Sequence, residues 1–138
     1  MPVSTITAGQ EDWLKVLNSN DQANHLTVIK TTATLINGWS GVINLYRIDA
    51  DGFRLYEVDG YLNLPPNTTL QRGAKAEVST FGGVFDEMKG LILPLSGYVV
   101  TGDMVFDPAD NKIKIYGGLE NVTAGTTTFQ FAGSLCKN

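Results

Sequence analysis

The sequence predicts an all-β domain, an antiparallel β-sandwich of jelly-roll type that carries a short N-terminal helix. Three observations lead there. From residue 25 onward, β-branched and aromatic residues gather in short runs, and such side chains suit a pleated strand. Turn signals interrupt those runs at regular intervals: Asn37-Gly38, Asp51-Gly52, Pro65-Pro66-Asn67, Gly82-Gly83 and Asp107 to Asn111. Charged residues make up only 17% of the chain, so Thr, Asn, Ser and Gln must cover much of the surface, as they do on strands with polar outer faces. Seven or eight short strands spaced this way specify a sandwich or barrel.

Residues 1–24 hold the one helical candidate. Thr7 and Gln10 have capping-box spacing, and Glu11 and Asp12 put negative charge in the first turn. Trp13, Leu14, Val16 and Leu17 follow as an apolar face, and Asn18 to Asp21 ends it. About three turns are too short to be stable alone in water, so this segment needs a surface to pack on. Residues 25–138 form the β domain. Its first strand is expected within Leu26 to Ile36. In the stretch GVINLYRIDADGFRLYEVDGYLNL, residues 41–64, Ile43, Leu45 and Arg47 share one face, and Val42, Asn44, Tyr46 and Ile48 the other. Asp49 to Gly52 turns the chain, its carboxylates expected to bond nearby backbone N–H groups. Phe53, Leu55, Glu57, Asp59 and Tyr61 then oppose Arg54, Tyr56, Val58, Gly60 and Leu62. Neither strand alternates cleanly, which predicts that both faces are partly covered.

A further strand is expected around Thr69 to Phe81, and a loop through Val84 to Gly90. Leu91 to Leu95 contains Pro94, which marks an edge strand or an extended segment. Strands are expected again over Gly97 to Phe106, Lys112 to Tyr116 and Thr126 to Leu135. In the last, Phe129, Phe131 and Leu135 share one face, and Thr128, Gln130 and Ala132 the other.

A chain of 138 residues is one domain by length and buries roughly two-thirds of its unfolded surface. The net charge of −4 offers no footprint for a phosphate backbone, so no nucleic-acid partner is expected. No apolar run approaches the ~20 residues of a membrane span, so no membrane insertion is expected. The opening MPVSTITAGQ lacks a basic region and an apolar core, so it does not read as a signal peptide. Cys136 is the one cysteine, which rules out an internal disulfide. Asn67-Thr68-Thr69 and Asn121-Val122-Thr123 match the glycosylation pattern.

Reagents for catalysis are scarce. His25 is the single histidine, so a zinc site of His and Cys ligands is excluded. Gly38-Trp39-Ser40-Gly41 is a turn before a strand, without the second half of a nucleophile elbow. No phosphate-binding loop or dinucleotide fingerprint is present, and no cofactor is expected. Asp49/Asp51, Asp86/Glu87 and Asp107/Asp110 are close in sequence only, whereas glycosidases need two carboxyls facing across a bond. Asp49 to Gly52 is too short for an EF-hand, and Asp107 to Asn111 reads as a turn that leaves calcium open. No enzyme is expected. Binding is the alternative, since sugar sites combine an exposed aromatic face with carboxylates and amides. Trp39, Tyr61, Tyr98 and Tyr116 lie near strand ends or turns, where rings can be exposed.

The stretch NGWSGVINLYRIDADGFRLYEVDGYLNL, residues 37–64, resembles the opening of receptor-binding heads in bacteriophage tail fibres and baseplate proteins, especially of phages that infect lactic acid bacteria. The closing KIKIYGGLENVTAGTTTFQFAGSLCKN is similar to the end of those heads, and LPLSGYVVTGDMVFD lies where they carry a proline-containing segment and a long strand. Phe85 to Leu95 departs from the family's proline motif. The resemblance implies a trimeric β-sandwich head at the tail tip of a virion. Such a head binds host cell-surface saccharide or a teichoic-acid-like polymer, and the N-terminal helix attaches it to other tail or baseplate proteins. By position it implies a ligand wall along Tyr98 to Tyr116, with Asp103, Phe106 and Tyr116 foremost; Tyr98, and Trp39 as an aromatic beside a turn, are the further ligand candidates. A structural virion protein without sugar binding (a baseplate adaptor or head decoration), a carbohydrate-active enzyme and a cellular carbohydrate-binding module are the other readings.

Overall fold

The structure is a computed structural model that describes residues 26–96, 102–126 and 128–137. The expected N-terminal helix, His25 and Tyr98 lie outside the described residues. Strands form where side chains alternate. β1 (Thr27–Thr32), β2 (Ser40–Ala50), β3 (Phe53–Asn63) and β10 (Phe129–Lys137) make one four-stranded antiparallel sheet in the order β1-β2-β3-β10. The second sheet runs β5-β8-β7-β6, from β5 (Lys75–Thr80), β6 (Ile92–Leu95), β7 (Gly102–Asp107) and β8 (Lys112–Gly117). A small ribbon pairs β4 (Thr69–Leu70) with β9 (Val122–Thr123). The all-β antiparallel class read from the sequence is the one the chain adopts.

Two isolated bridges join the sheets, Leu35 with Ser79 and Ser96 with Gln130. At the second, Ser96 N donates to Gln130 O at 2.9 Å and Gln130 N donates back to Ser96 O at 2.7 Å. The inward faces meet in one core. Ile43, Leu45, Tyr56, Val58, Leu62, Phe129 and Phe131 come from the first sheet, and Val78, Leu93, Leu95, Met104, Phe106, Ile113 and Ile115 from the second. Each such fully buried apolar side chain contributes about 1.5–3 kcal/mol. The two faces of β2, β3 and β10 fall as their period-two patterns require.

Several local expectations change. The Thr69 to Phe81 strand is split, because Gln71-Arg72-Gly73 turns with Gly73 at φ 73° and Ala74 N donates to Gln71 O at 3.0 Å. The segment expected as a loop winds into a 3₁₀ helix, Gly83–Met88, that buries Phe85 and Met88. β2 runs on to Ala50, which pairs with Phe53, so only Asp51 and Gly52 make the turn. Asp49 therefore does not serve the turn. It lies on the inner face with Arg47 and Arg54, at 2.9 and 2.7 Å from their guanidinium nitrogens. Arg54 Nη1 reaches Glu87 at 3.1 Å and Tyr56 O–H donates to the same carboxylate at 3.2 Å, which ties the hairpin to the 3₁₀ helix. Charged groups close this end of the core because each has an opposite partner.

Lys114 shows the same logic on the outer face of the second sheet. Its side chain is 6% exposed, yet its Nζ lies 2.8 Å from both Asp107 and Asp110. Those carboxylates are held below their ordinary 3.8 chiefly by the lysine, and the lysine is raised above 10.5 chiefly by Asp107 and then Asp110. The depressed carboxylates stabilise the fold fully above pH 3.8 and lose that contribution as pH falls through their folded values. The lysine contributes below pH 10.5 and loses it only as pH rises through its higher folded value. Lys114→Met keeps the stem and removes the charge. In urea unfolding at stepped pH, the stability gap between the native chain and this variant is expected to shrink from about pH 5 to about pH 2. A gap independent of pH would mean that the two carboxylates draw nothing from Lys114.

Candidate functional site

Of the five candidate site residues, the four that the structure describes do not converge. Asp103 on β7 and Tyr116 on β8 are direct cross-strand partners on the outer face of the second sheet, with Asp103 exposed and Tyr116 half-buried. Phe106 is 0% exposed and packs edge-to-face on Phe81 at 5.1 Å between ring centroids. Trp39 is also core, with its ring 6.3 Å from that of Phe129. Neither presents a face to a ligand, because strand alternation turns Phe106 inward between Val105 and Asp107, and Trp39 caps the same core. Tyr98 lies outside the described residues. Asp103 and Tyr116 thus remain as a surface pair.

A different set of side chains forms a groove of about 690 Å³ along the seam where β6 meets β10. Period two explains its composition. On β3, Asp59 and Tyr61 point outward while Val58 and Leu62 enter the core; on β10, Gln130 and Ala132 point outward while Phe129 and Phe131 enter it. The register sets Gln130 opposite Tyr61 and Ala132 opposite Asp59. Across the seam, β6 contributes Pro94, and Ser96 follows at the bridge. Tyr61 is 45% exposed, a large aromatic surface left in water among polar neighbours. Asn44 Nδ2 donates to Asp59 Oδ1 at 2.9 Å, which orients the carboxylate. Thr128, at the groove's end, donates to Asn63 Oδ1 at 2.7 Å.

The backbone permits this arrangement at one special residue. Gly60 lies between Asp59 and Tyr61 at φ 148°, and a Cβ there would run into the Val42 carbonyl oxygen and meet Phe131 Cζ at 3.1 Å. Phe131, its cross-strand partner, covers the missing side chain from within and becomes part of the groove floor. Asp103 belongs to the neighbouring surface, since it pairs with Pro94 of β6.

The sequence already put Asp59 with Tyr61, and Gln130 with Ala132, on shared strand faces, and Tyr61 among the rings near strand ends. It carried no signal for the pairing of β3 with β10, which alone brings the two sets together.

A second depression, about 380 Å³, is lined by Asp49, Ala50, Phe53, Arg54, Glu87 and Lys137. Its charges are largely spent on one another. Asp49 is held below the ordinary carboxylate range, first by hydrogen bonding from Arg47 and then from Arg54, and Arg54 is raised chiefly by Asp49. Among the described residues no cluster of three or more His, Cys, Asp or Glu side chains has the arrangement of a metal site. At the Asp107 to Asn111 turn both carboxylates are directed at Lys114. No helix of the described residues is long and apolar enough to cross a membrane.

No protein-family model, curated protein or solved structure matches this chain.

Proposed function

We propose that this chain is a non-enzymatic saccharide-binding head, of the kind that a bacteriophage carries at its tail tip to recognise the host cell surface. The observation that carries the reading is the groove, in which the exposed Tyr61 has Asp59 two positions along β3 and Gln130 opposite it on β10. An aromatic face suits the apolar C–H side of a pyranose, and carboxylate and amide groups suit its hydroxyls. Asp59 is the single carboxylate among the groove's described lining residues, which favours holding a sugar over the two-carboxylate chemistry of a glycosidase. The tail-tip setting is supported by the resemblance of residues 37–64 and of the closing segment to phage heads.

Assembly into a trimer has a separate support. Val28, Ile48, Leu55 and Cys136 form one row across the outer face of the first sheet, with Phe53 beside it. Val28 is 57% and Phe53 43% exposed, surface that a neighbouring subunit would remove from water. The same row favours a second reading, a structural virion protein that buries this face against another virion component and binds no sugar. Trimers multiply weak sites into avidity, so modest contacts at each groove suffice.

Binding of the purified chain to bacterial cell-wall polysaccharide, followed by surface plasmon resonance, tests the first reading. Tyr61→Ala is expected to weaken it by at least about ten-fold, as loss of a central aromatic contact does. Its circular dichroism should be unchanged, because the ring is outside the core. Binding that persists in the variant would remove the groove from the account, and no binding at all would favour the structural virion protein.

A further inference from the structure

We infer that the groove is built for an uncharged saccharide and discriminates against chains that bear phosphate or carboxylate groups. The inference rests on the saccharide-binding reading and narrows it, since a teichoic-acid-like polymer is a polyanion. The described lining residues bring one formal charge, the Asp59 carboxylate, and include no Lys, Arg or His. The surroundings add charge of the same sign: Glu57 two positions along β3 and Asp103 beside Pro94. Lys30, on the outer face of the same sheet as Asp59, lies over the ring of Tyr46 at 5.5 Å.

Anion sites in proteins are made from guanidinium groups, ammonium groups or converging backbone N–H donors at a helix start. This groove lies between two strands and offers acceptors instead. Asp59 Oδ1 already takes the Asn44 amide, and Oδ2 takes no hydrogen bond from the described residues. A carboxylate oxygen so placed accepts from a sugar hydroxyl, while the Gln130 amide and the Ser96 hydroxyl both donate and accept. Neighbouring hydroxyls on a pyranose match that mixture, with the ring's apolar side against Tyr61. A phosphate in the same position would meet a like charge with no cation among the described lining residues to offset it.

The test compares glucose, galactose, rhamnose and N-acetylglucosamine oligosaccharides with the same sugars carried on poly(glycerol phosphate), by calorimetry at low salt. The uncharged probe that binds best is expected to bind at least about ten-fold more tightly than its phosphate-bearing counterpart, and added salt should narrow the difference. Asp59→Asn should weaken the uncharged probe and strengthen the phosphate-bearing one, because the amide keeps the shape and removes the charge. A phosphate-bearing probe that binds equally well or better, and is still lost in Tyr61→Ala, would overturn the charge selection and leave the groove in place. Failure of every probe, charged and uncharged, would overturn the saccharide-binding reading and this inference with it.

Discussion

Gly60→Ala is expected to destabilise the domain by about 3 kcal/mol, a drop in melting temperature of roughly 10 °C. The residue sits at φ 148°, where L side chains are strained, and its missing Cβ is the space through which β2 and β3 approach. A methyl group there would press on the Val42 carbonyl oxygen, which is backbone held in the β2–β3 pairing and has little room to yield. From the inner side it would meet the ring of Phe131. The control is Gly52→Asn in the β2–β3 turn. Gly52 also has positive φ, 88°, but a Cβ there meets nothing within 4 Å, and asparagine tolerates left-handed backbone. Its cost should stay below about 1 kcal/mol. Equal losses from both variants in urea unfolding would show that backbone conformation alone, and not the close approach at Val42, requires glycine at position 60. Because Gly60 lies between Asp59 and Tyr61, its variant should also weaken groove binding in the fraction that remains folded.

Phe106→Ala is expected to have the larger effect, about 4 kcal/mol, since it empties the volume of a fully buried aromatic ring. The ring is 0% exposed and packs against Phe81. Its backbone N–H donates to Leu91 O at 2.9 Å and its carbonyl accepts from Gly90 N at 2.7 Å, so the strand around the cavity is held and can collapse only in part. Should the alanine variant fail to fold, Phe106→Leu keeps most of the volume and is expected to cost about 1 kcal/mol. Either variant separates two roles that position along the chain had merged. Stability should fall while the saccharide binding proposed for the groove is unchanged per folded molecule. A Phe106→Leu protein of native stability with weakened binding would instead return this residue to the ligand wall.

The two mispositioned candidates share one cause. Phe106 is a candidate by its place in a resembling sequence and Trp39 by its place beside a turn, and neither criterion sees which way a side chain faces. Alternation does see it. Asp103, Val105 and Asp107 stand on one side of Met104 and Phe106, and the second pair is the buried one. Read by that rule alone, Asp103 belongs outside and Phe106 inside.

Charge behaved differently from hydrophobicity. Alternation shows which residues of β2 and β3 share a face, and it sets Arg47, Asp49 and Arg54 on the inner face with Ile43 and Tyr56. A lone arginine at such a position is costly; Arg47 is met by Asp49 of its own strand, and Arg54 by Asp49 of the neighbouring strand and Glu87 of the 3₁₀ helix. The Lys114 site follows the same pattern, with partners from β7 and the turn after it.

The sequence by itself determined the all-β class, most of the turns and which residues of the long strands share a face. Each depends on local physics: side-chain alternation every two residues, χ1 restriction, and the few residues that tolerate positive φ. What only the tertiary structure decided is which strands lie side by side. The pairing of β3 with β10 sets Gln130 beside Tyr61, and the Ser96–Gln130 bridge brings β6 to the same seam. Strand pairing between distant segments is chosen by how well whole faces pack in the core, a property of the assembled set and of no single stretch. The groove is a product of that choice, so its residues could be placed on faces from the sequence but not brought together.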